Sequence, residues 1–154
     1  MDKYFLNLAG EYRVCSEILK LGLFATVTYG NKKSADIYVV GPNKKIAVIE
    51  VKTTESNRFV TNFYQKFNQR GGEHPDFWVL CKITNNIDRF FVLSHDEMEK
   101  VQLKRNFPGQ ELNWEEASSQ CLKGVDNVLI DHINGNEFEK RWDKIQLFIN
   151  GIKE

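Results

Sequence analysis

Three charged residues beside two apolar segments are the residues of this sequence best suited to chemistry. Asp36 lies in the first segment, and Glu50 and Lys52 end the second. Two carboxylates and an ammonium group held together could bind a hard divalent cation and act on a phosphate ester. Whether they meet depends on how the two segments pair.

The segments 35–40 and 46–52 are rich in β-branched residues and predict two strands of a hairpin, because 41–44 has the sequence of a turn. Counting outward from the turn places Asp36 opposite Glu50. Residues two apart on a strand share a face, so the three charged side chains should project to one side of the sheet. A slip of one residue would move Glu50 to the other face.

Two carboxylates directly opposite each other, about 5 Å apart at Cβ, repel one another, and apolar surroundings raise that cost. A bound cation, a shared proton or a nearby Lys or Arg could relieve the repulsion. Lys52 supplies one positive charge, and a hard divalent metal would supply the rest. The alternative is a surface strand whose polar face happens to carry these residues.

Composition bounds the class of protein. The chain has 154 residues, 42% of them hydrophobic and 27% charged, which fits one globular domain. Lys plus Arg equals Asp plus Glu, at 21 each, so the net charge is zero. This excludes a strongly basic protein that coats nucleic acid without specificity. Cys15, Cys81 and Cys121 have neither disulfide nor zinc spacing. Since no apolar run approaches about 20 residues, a cytoplasmic setting is expected.

Hydrophobic periodicity predicts an α/β protein with a helix on each face of a central sheet. The predicted helices are 4–21, ended by Gly22, then 58–70, then 95–104, opened by a Ser94–Glu97 capping box, and a last one carrying Phe138, Trp142, Ile145 and Ile149. Further strands are predicted at 24–29, 77–83, 89–93 and within 125–133. We expect a single domain over 1–154, with a core of about 4–93 and a C-terminal extension of about 94–154.

Glu11, Asp36 and the run Glu50-Val51-Lys52 resemble the PD-(D/E)xK nuclease superfamily in type and spacing. The core, including the loop 30–36 that enters the Asp36 strand, is most similar to archaeal Holliday-junction resolvases. The resemblance covers about residues 8–83. Ala35 stands where the nominal motif has Pro, a position that often varies in that superfamily.

The resemblance implies a restriction endonuclease-like core, a central mixed sheet flanked by helices in the order α-β-β-β-α-β. It implies an endonuclease that hydrolyses DNA phosphodiester bonds with Mg²⁺, for which Mn²⁺ would substitute. Asp36, Glu50 and the backbone carbonyl of Val51 would hold the metal, and Glu11 could bind it through water or help to position it. Lys52 would orient the attacking water or offset charge on the phosphorane oxygens.

Several alternatives stay open at this stage. Glu17 is a rival to Glu11 on the first helix, and Gln65 is a candidate helper on the second. The substrate would be duplex or branched DNA, cut by a homodimer for which Trp142, Ile145 and Ile149 are a candidate interface. A non-catalytic module that binds nucleic acid or protein and an RNA-directed nuclease are the competing functions.

Overall fold

The computed structural model describes residues 1–28, 35–67, 72–119 and 126–151. Within these ranges the helices are α1 (Lys3–Lys20), α2 (Phe63–Phe67), α3 (His95–Asn106), α4 (Trp114–Ser119) and α5 (Asp143–Ile149). The strands are β1 (Phe24–Val27), β2 (Ile37–Val40), β3 (Ile46–Thr54), β4 (Arg58–Val60), β5 (Phe77–Lys82), β6 (Arg89–Ser94) and β7 (Asn127–Leu129).

The central sheet has five strands in the order β1-β2-β3-β5-β6. Strands β3 and β5 are parallel, and the other neighbours are antiparallel. A parallel pair needs a crossover connection, and the chain between β3 and β5 supplies it with β4 and α2. Strand β4 pairs with β7 in a separate two-stranded sheet.

The predicted hairpin register is confirmed. Tyr38 pairs with Val48, and Val40 pairs with Ile46. Continued by one residue beyond β2, the same register places Asp36 opposite Glu50. The slip that would have turned Glu50 to the other face is therefore excluded.

Each face of the central sheet carries its own apolar core, which confirms the predicted α/β architecture with helices on both sides. On one face α1 packs against alternate residues of β2 and β3, namely Ile37, Val39, Ala47, Ile49 and Val51. On the other face α2, α3 and α4 cover Trp78, Leu80, Phe91 and Leu93. On α1, Tyr12 and Leu19 are exposed.

The segment 58–70, predicted as one helix, is a strand followed by a short helix within its described residues. Residues 58–60 pair with β7, and Asn62, at a φ of 51°, separates them from α2. Phe59, Phe63 and Phe67 are nevertheless all buried in the same core. The aromatic spacing located the buried face correctly, but pairing with a distant strand overrode the helical pattern. Residues 68–70 lie outside the described ranges.

The C-terminal helix is shorter than expected and does not offer the proposed interface. Trp142 precedes α5, and its side chain is 8% exposed, while Ile145 and Ile149 are 0% and 1% exposed. All three pack into the core beneath α1. A dimer contact through these side chains is therefore wrong, because they are already covered by the chain itself.

Two further expectations concern the class of protein. In the described ranges, no helix combines the length and the apolar character needed to cross a bilayer. Cys15 and Cys81 are buried free thiols, and Cys121 lies outside the described residues.

The predicted capping box of α3 is present, with Ser94 and Glu97 bonding each other's backbone N–H groups.

Candidate active site

Asp36 is fixed against β3 at the point where β3 runs past the start of β2. Its backbone N–H donates to the Ile49 carbonyl over 2.9 Å, and its Oδ2 accepts from the Val51 N–H over 2.7 Å. The carboxylate thus takes the place that a further strand residue would occupy. Alternate residues of a strand direct their carbonyl groups to the same side. The Val51 carbonyl therefore points to the same side as the Ile49 carbonyl, towards Asp36.

Glu50 is a buried carboxylate, with only 3% of the residue exposed. It lies beside Trp78 in the sheet, as Lys52 lies beside Leu80. Its Oε1 receives two ammonium groups, Lys66 Nζ at 3.0 Å and Lys52 Nζ at 3.2 Å. Its Oε2 is buried and has no hydrogen-bond partner among the described residues. A buried carboxylate oxygen without a partner is costly, and a bound ion at this atom would offset that cost.

Lys52 is held among charges of both signs. Burial lowers the pKa of its ammonium group, and the charge of Lys66 lowers it further, whereas Glu50 and Asp36 raise it. Its side chain is 19% exposed, so one end of the site reaches solvent. Lys52 therefore lies between the buried Glu50 and the side of the site that is exposed to solvent.

Glu11 reaches the site because α1 approaches β3 closely at Gly10. A Cβ on Gly10 would lie 1.8 Å from the Thr53 hydroxyl oxygen, so only glycine allows this contact. The Glu11 carboxyl group lies beside that of Asp36. Burial, then the charges of Asp36 and Glu50, raise the pKa of Glu11 to about 7.

The Asp36 carboxyl group is shifted in the same direction. Burial and the charge of Glu50 raise its pKa to about 6, although the Val51 N–H, Lys52 and Lys66 favour the ionised form. The protein thus relieves the crowding of acids in one of the expected ways, by nearby lysines.

The predicted site residues Glu11, Asp36, Glu50 and Lys52 are therefore brought together. Glu17 is elsewhere on α1, where its carboxylate pairs with Lys20. Gln65 is exposed on α2, so its side chain does not face Glu50 as Lys66 does. The preference for Glu11 over Glu17 agrees with this placement.

Lys66 was not among the site residues expected from the sequence. Its position on α2 is set from a distance by Asp126. The Asp126 carboxylate accepts from the Tyr64 N–H at 2.9 Å and the Gln65 N–H at 3.1 Å, and its carbonyl accepts from the N–H groups of Thr61 and Asn62. The usable signal was a lysine among the buried aromatic positions of a helix that follows the Glu50–Lys52 strand.

The donor atoms of the site fit a hard divalent cation. The open Oε2 of Glu50, the Asp36 carboxylate and the Val51 carbonyl are all oxygen donors, which Mg²⁺ prefers. Across the residues that the structure describes, no three His, Cys, Asp or Glu side chains form a metal-holding group by themselves. In proteins, Mg²⁺ is commonly bound by one or two carboxylates, with water completing its shell.

The solved structures that match this chain include two nucleases. A bacterial homing endonuclease, I-Ssp6803I, matches with 16% identity and a TM-score of 0.46, over 62% of this chain and 67% of its own. Hjc, a Holliday junction resolvase from the archaeon Archaeoglobus fulgidus, matches with 17% identity and a TM-score of 0.33, over 70% of this chain and 98% of its own. No family model and no curated protein matched.

Proposed function

We propose that this protein is a magnesium-dependent endonuclease that hydrolyses DNA phosphodiester bonds. The observation that carries the proposal is the buried Glu50 carboxylate, with one oxygen held by two lysines and the other open, opposite Asp36. Burying charge is costly unless it is fully compensated. A fold selected for stability alone would gain by an apolar residue at position 50, so a ligand explains the arrangement better.

The side chains have separable roles in this proposal. Asp36, oriented by the Val51 N–H, and the open oxygen of Glu50 would hold the ion, with the Val51 carbonyl beside them. Bound Mg²⁺ would polarise the phosphate and lower the pKa of the attacking water. Lys52 would orient that water and offset charge that builds on the phosphate oxygens. Glu11 would take or release a proton as the ion binds, because its pKa lies near neutral pH.

The nature of the substrate and the assembly are also proposals. DNA is favoured by the motif resemblance of Glu11, Asp36 and Glu50-Val51-Lys52. The net charge of zero fits recognition by a local site better than binding by a broad basic surface. Cutting two strands of a duplex or branched DNA suggests a homodimer with one site per strand, in a cytoplasmic setting. Its interface would lie outside the buried Trp142, Ile145 and Ile149.

A cleavage assay tests the activity. Plasmid, linear duplex, branched and single-stranded DNA would be incubated with the protein and Mg²⁺ or Mn²⁺. Asp36→Ala and Lys52→Ala should each lower the rate at least about a hundredfold. Asp131→Ala and Lys100→Ala, at exposed positions away from the site, are matched controls that should cut like the wild type. Cleavage that survives in both site variants would mean that another site or a contaminant cuts.

Calorimetry separates the enzyme from a non-catalytic module with the same fold. Mn²⁺ should bind the wild-type protein without DNA, and Asp36→Ala and Glu50→Gln should abolish that binding. The Asp131→Ala control should retain it. Absence of any binding that depends on Asp36 and Glu50 would favour the binding module.

A further inference from the structure

Lys66 is a second cation of the site, contributed by α2 rather than by the strand that carries Glu50 and Lys52. Its Nζ lies 3.0 Å from Glu50 Oε1, slightly closer than Lys52 Nζ at 3.2 Å. The Lys66 side chain is 23% exposed, so it also borders the open side of the site. One ammonium group is enough to balance the charge of the Glu50 carboxylate, so the second ammonium group is more than this ion pair requires.

The charges indicate what the second lysine is for. With Glu11 ionised, Glu11, Asp36 and Glu50 together with the two lysines leave one negative charge. A divalent cation bound there changes that to one positive charge. A phosphodiester carries one negative charge and restores neutrality. Without substrate, Lys66 and a bound cation would repel one another across Glu50, because both would be within a few ångströms of the same carboxylate.

We propose that Lys66 is a phosphate-binding residue that Glu50 holds in the empty site and releases to the scissile phosphate group when ion and substrate bind. The inference rests on the nuclease function proposed above. It assigns Lys66 two opposing effects, since its charge weakens binding of the ion alone and strengthens binding of the phosphate. Lysine suits this change of partner, because a compact charge on a flexible four-carbon stem can move without its backbone.

The backbone of Lys66 is held still while its side chain moves. Asp126 binds the first N–H groups of α2, and Phe63 and Phe67 contact Trp78 of β5 through their rings. The helix α2 therefore packs against the sheet that contains Glu50. The reach of Nζ is limited to positions around Glu50, where a phosphate bound to the ion would lie.

The test compares Lys66→Met with Lys66→Arg, and with Lys100→Met as the matched control on the exposed side of α3. Calorimetry with Mn²⁺ and no DNA measures binding of the ion alone. Lys66→Met should bind Mn²⁺ about threefold to tenfold more tightly than the wild type, because a nearby positive charge is removed. Lys66→Arg and Lys100→Met should bind like the wild type.

Cleavage at saturating Mn²⁺ is the second measurement. Lys66→Met should cut about a hundredfold more slowly, because a cation is lost from the phosphate, and Lys66→Arg should recover most of the rate. A merely structural role would weaken both binding and cleavage. Weaker or unchanged Mn²⁺ binding in Lys66→Met, or an unchanged cleavage rate, overturns the proposal.

Two controls keep the test decisive. Thermal unfolding would verify that Lys66→Met is folded, and Lys66→Gln, which is polar and of similar length, would replace it if it is not, with the same two expected changes. If the wild-type protein neither binds Mn²⁺ nor cuts DNA, the nuclease function itself is wrong. If the wild type does both and the Lys66 variants follow the control, only the role of Lys66 is wrong.

Discussion

The carboxyl group of Glu11, on α1, lies beside that of Asp36, just before β2. Burial, and then the neighbouring acids, raise the pKa of Glu11 to about 7 and that of Asp36 to about 6. The acidic site is therefore partly protonated near neutral pH. Any cation that binds there must compete with that proton.

Metal binding should release protons. Ionised carboxylates are needed as ligands, so binding of Mn²⁺ at pH 6.5 should expel a proton from the Glu11–Asp36 pair. Calorimetry in buffers of different ionisation enthalpy measures the number released, which should approach one at pH 6.5 and decline by pH 8.5. Glu11→Gln should release fewer protons at pH 6.5. Equal proton release at both values of pH would contradict the raised pKa values of Glu11 and Asp36.

Glu11 should make the stability of the protein depend on pH. Its pKa in the folded protein is about 7, against 4.5 for the ordinary group, so the folded state takes up the proton more readily than the unfolded chain. That contribution is complete below about pH 4.5 and is lost as pH rises through about 7. At pH 8, Glu11→Gln should raise the free energy of unfolding by roughly 1–2 kcal/mol, a value reduced for solvent screening.

Denaturant unfolding at pH 8 and pH 5 checks this prediction. The gain from Glu11→Gln should be smaller at pH 5, where the wild-type group is largely protonated. Glu17→Gln, on the same helix but paired with Lys20, should change stability by less than about 0.5 kcal/mol. A gain of equal size at both values of pH would show that packing, and not charge, is responsible.

Gly10→Ala should destabilise the protein although alanine favours helices. The new methyl group would meet the Thr53 hydroxyl at 1.8 Å, and such overpacking costs about 1–3 kcal/mol, more than the roughly 1 kcal/mol gained in helix propensity. Unfolding in urea measures the change. Thr53→Ala in the same chain should recover part of the loss, as a double-mutant cycle would show. Additive effects would mean that the two residues do not touch.

Asp126→Asn should weaken the start of α2 and with it the placement of Lys66. The amide has one acceptor oxygen where the carboxylate accepts two N–H groups. We expect a loss of about 1 kcal/mol in the free energy of unfolding and a slower cleavage rate under conditions where the variant is folded. Asp131→Asn, at an exposed position nearby in sequence, should change neither. If the folded Asp126→Asn variant cleaves DNA at an unaltered rate, the placement of α2 does not affect the activity.

The sequence predicted the part of the site that local pattern controls. Turn residues at 41–44 and the alternation of apolar residues fixed the register that places Asp36 opposite Glu50. Lys66 could not be predicted in the same way, because Asp126 and β7 decide where α2 begins. Such contacts between residues far apart in the chain leave no periodic signal, so the segment 58–70 was predicted as one helix.

The pairing of β4 with β7 also affects the order in which the parts of the protein fold during synthesis. During synthesis the acids at 11, 36 and 50 emerge early, together with the strands that hold them, whereas Asp126 and β7 follow only after α3 and α4. Since chains fold as they leave the ribosome, a nascent chain would contain an incomplete site in which α2 is unanchored. A nuclease assembled in this way would gain its activity only after β7 had been synthesised and paired with β4.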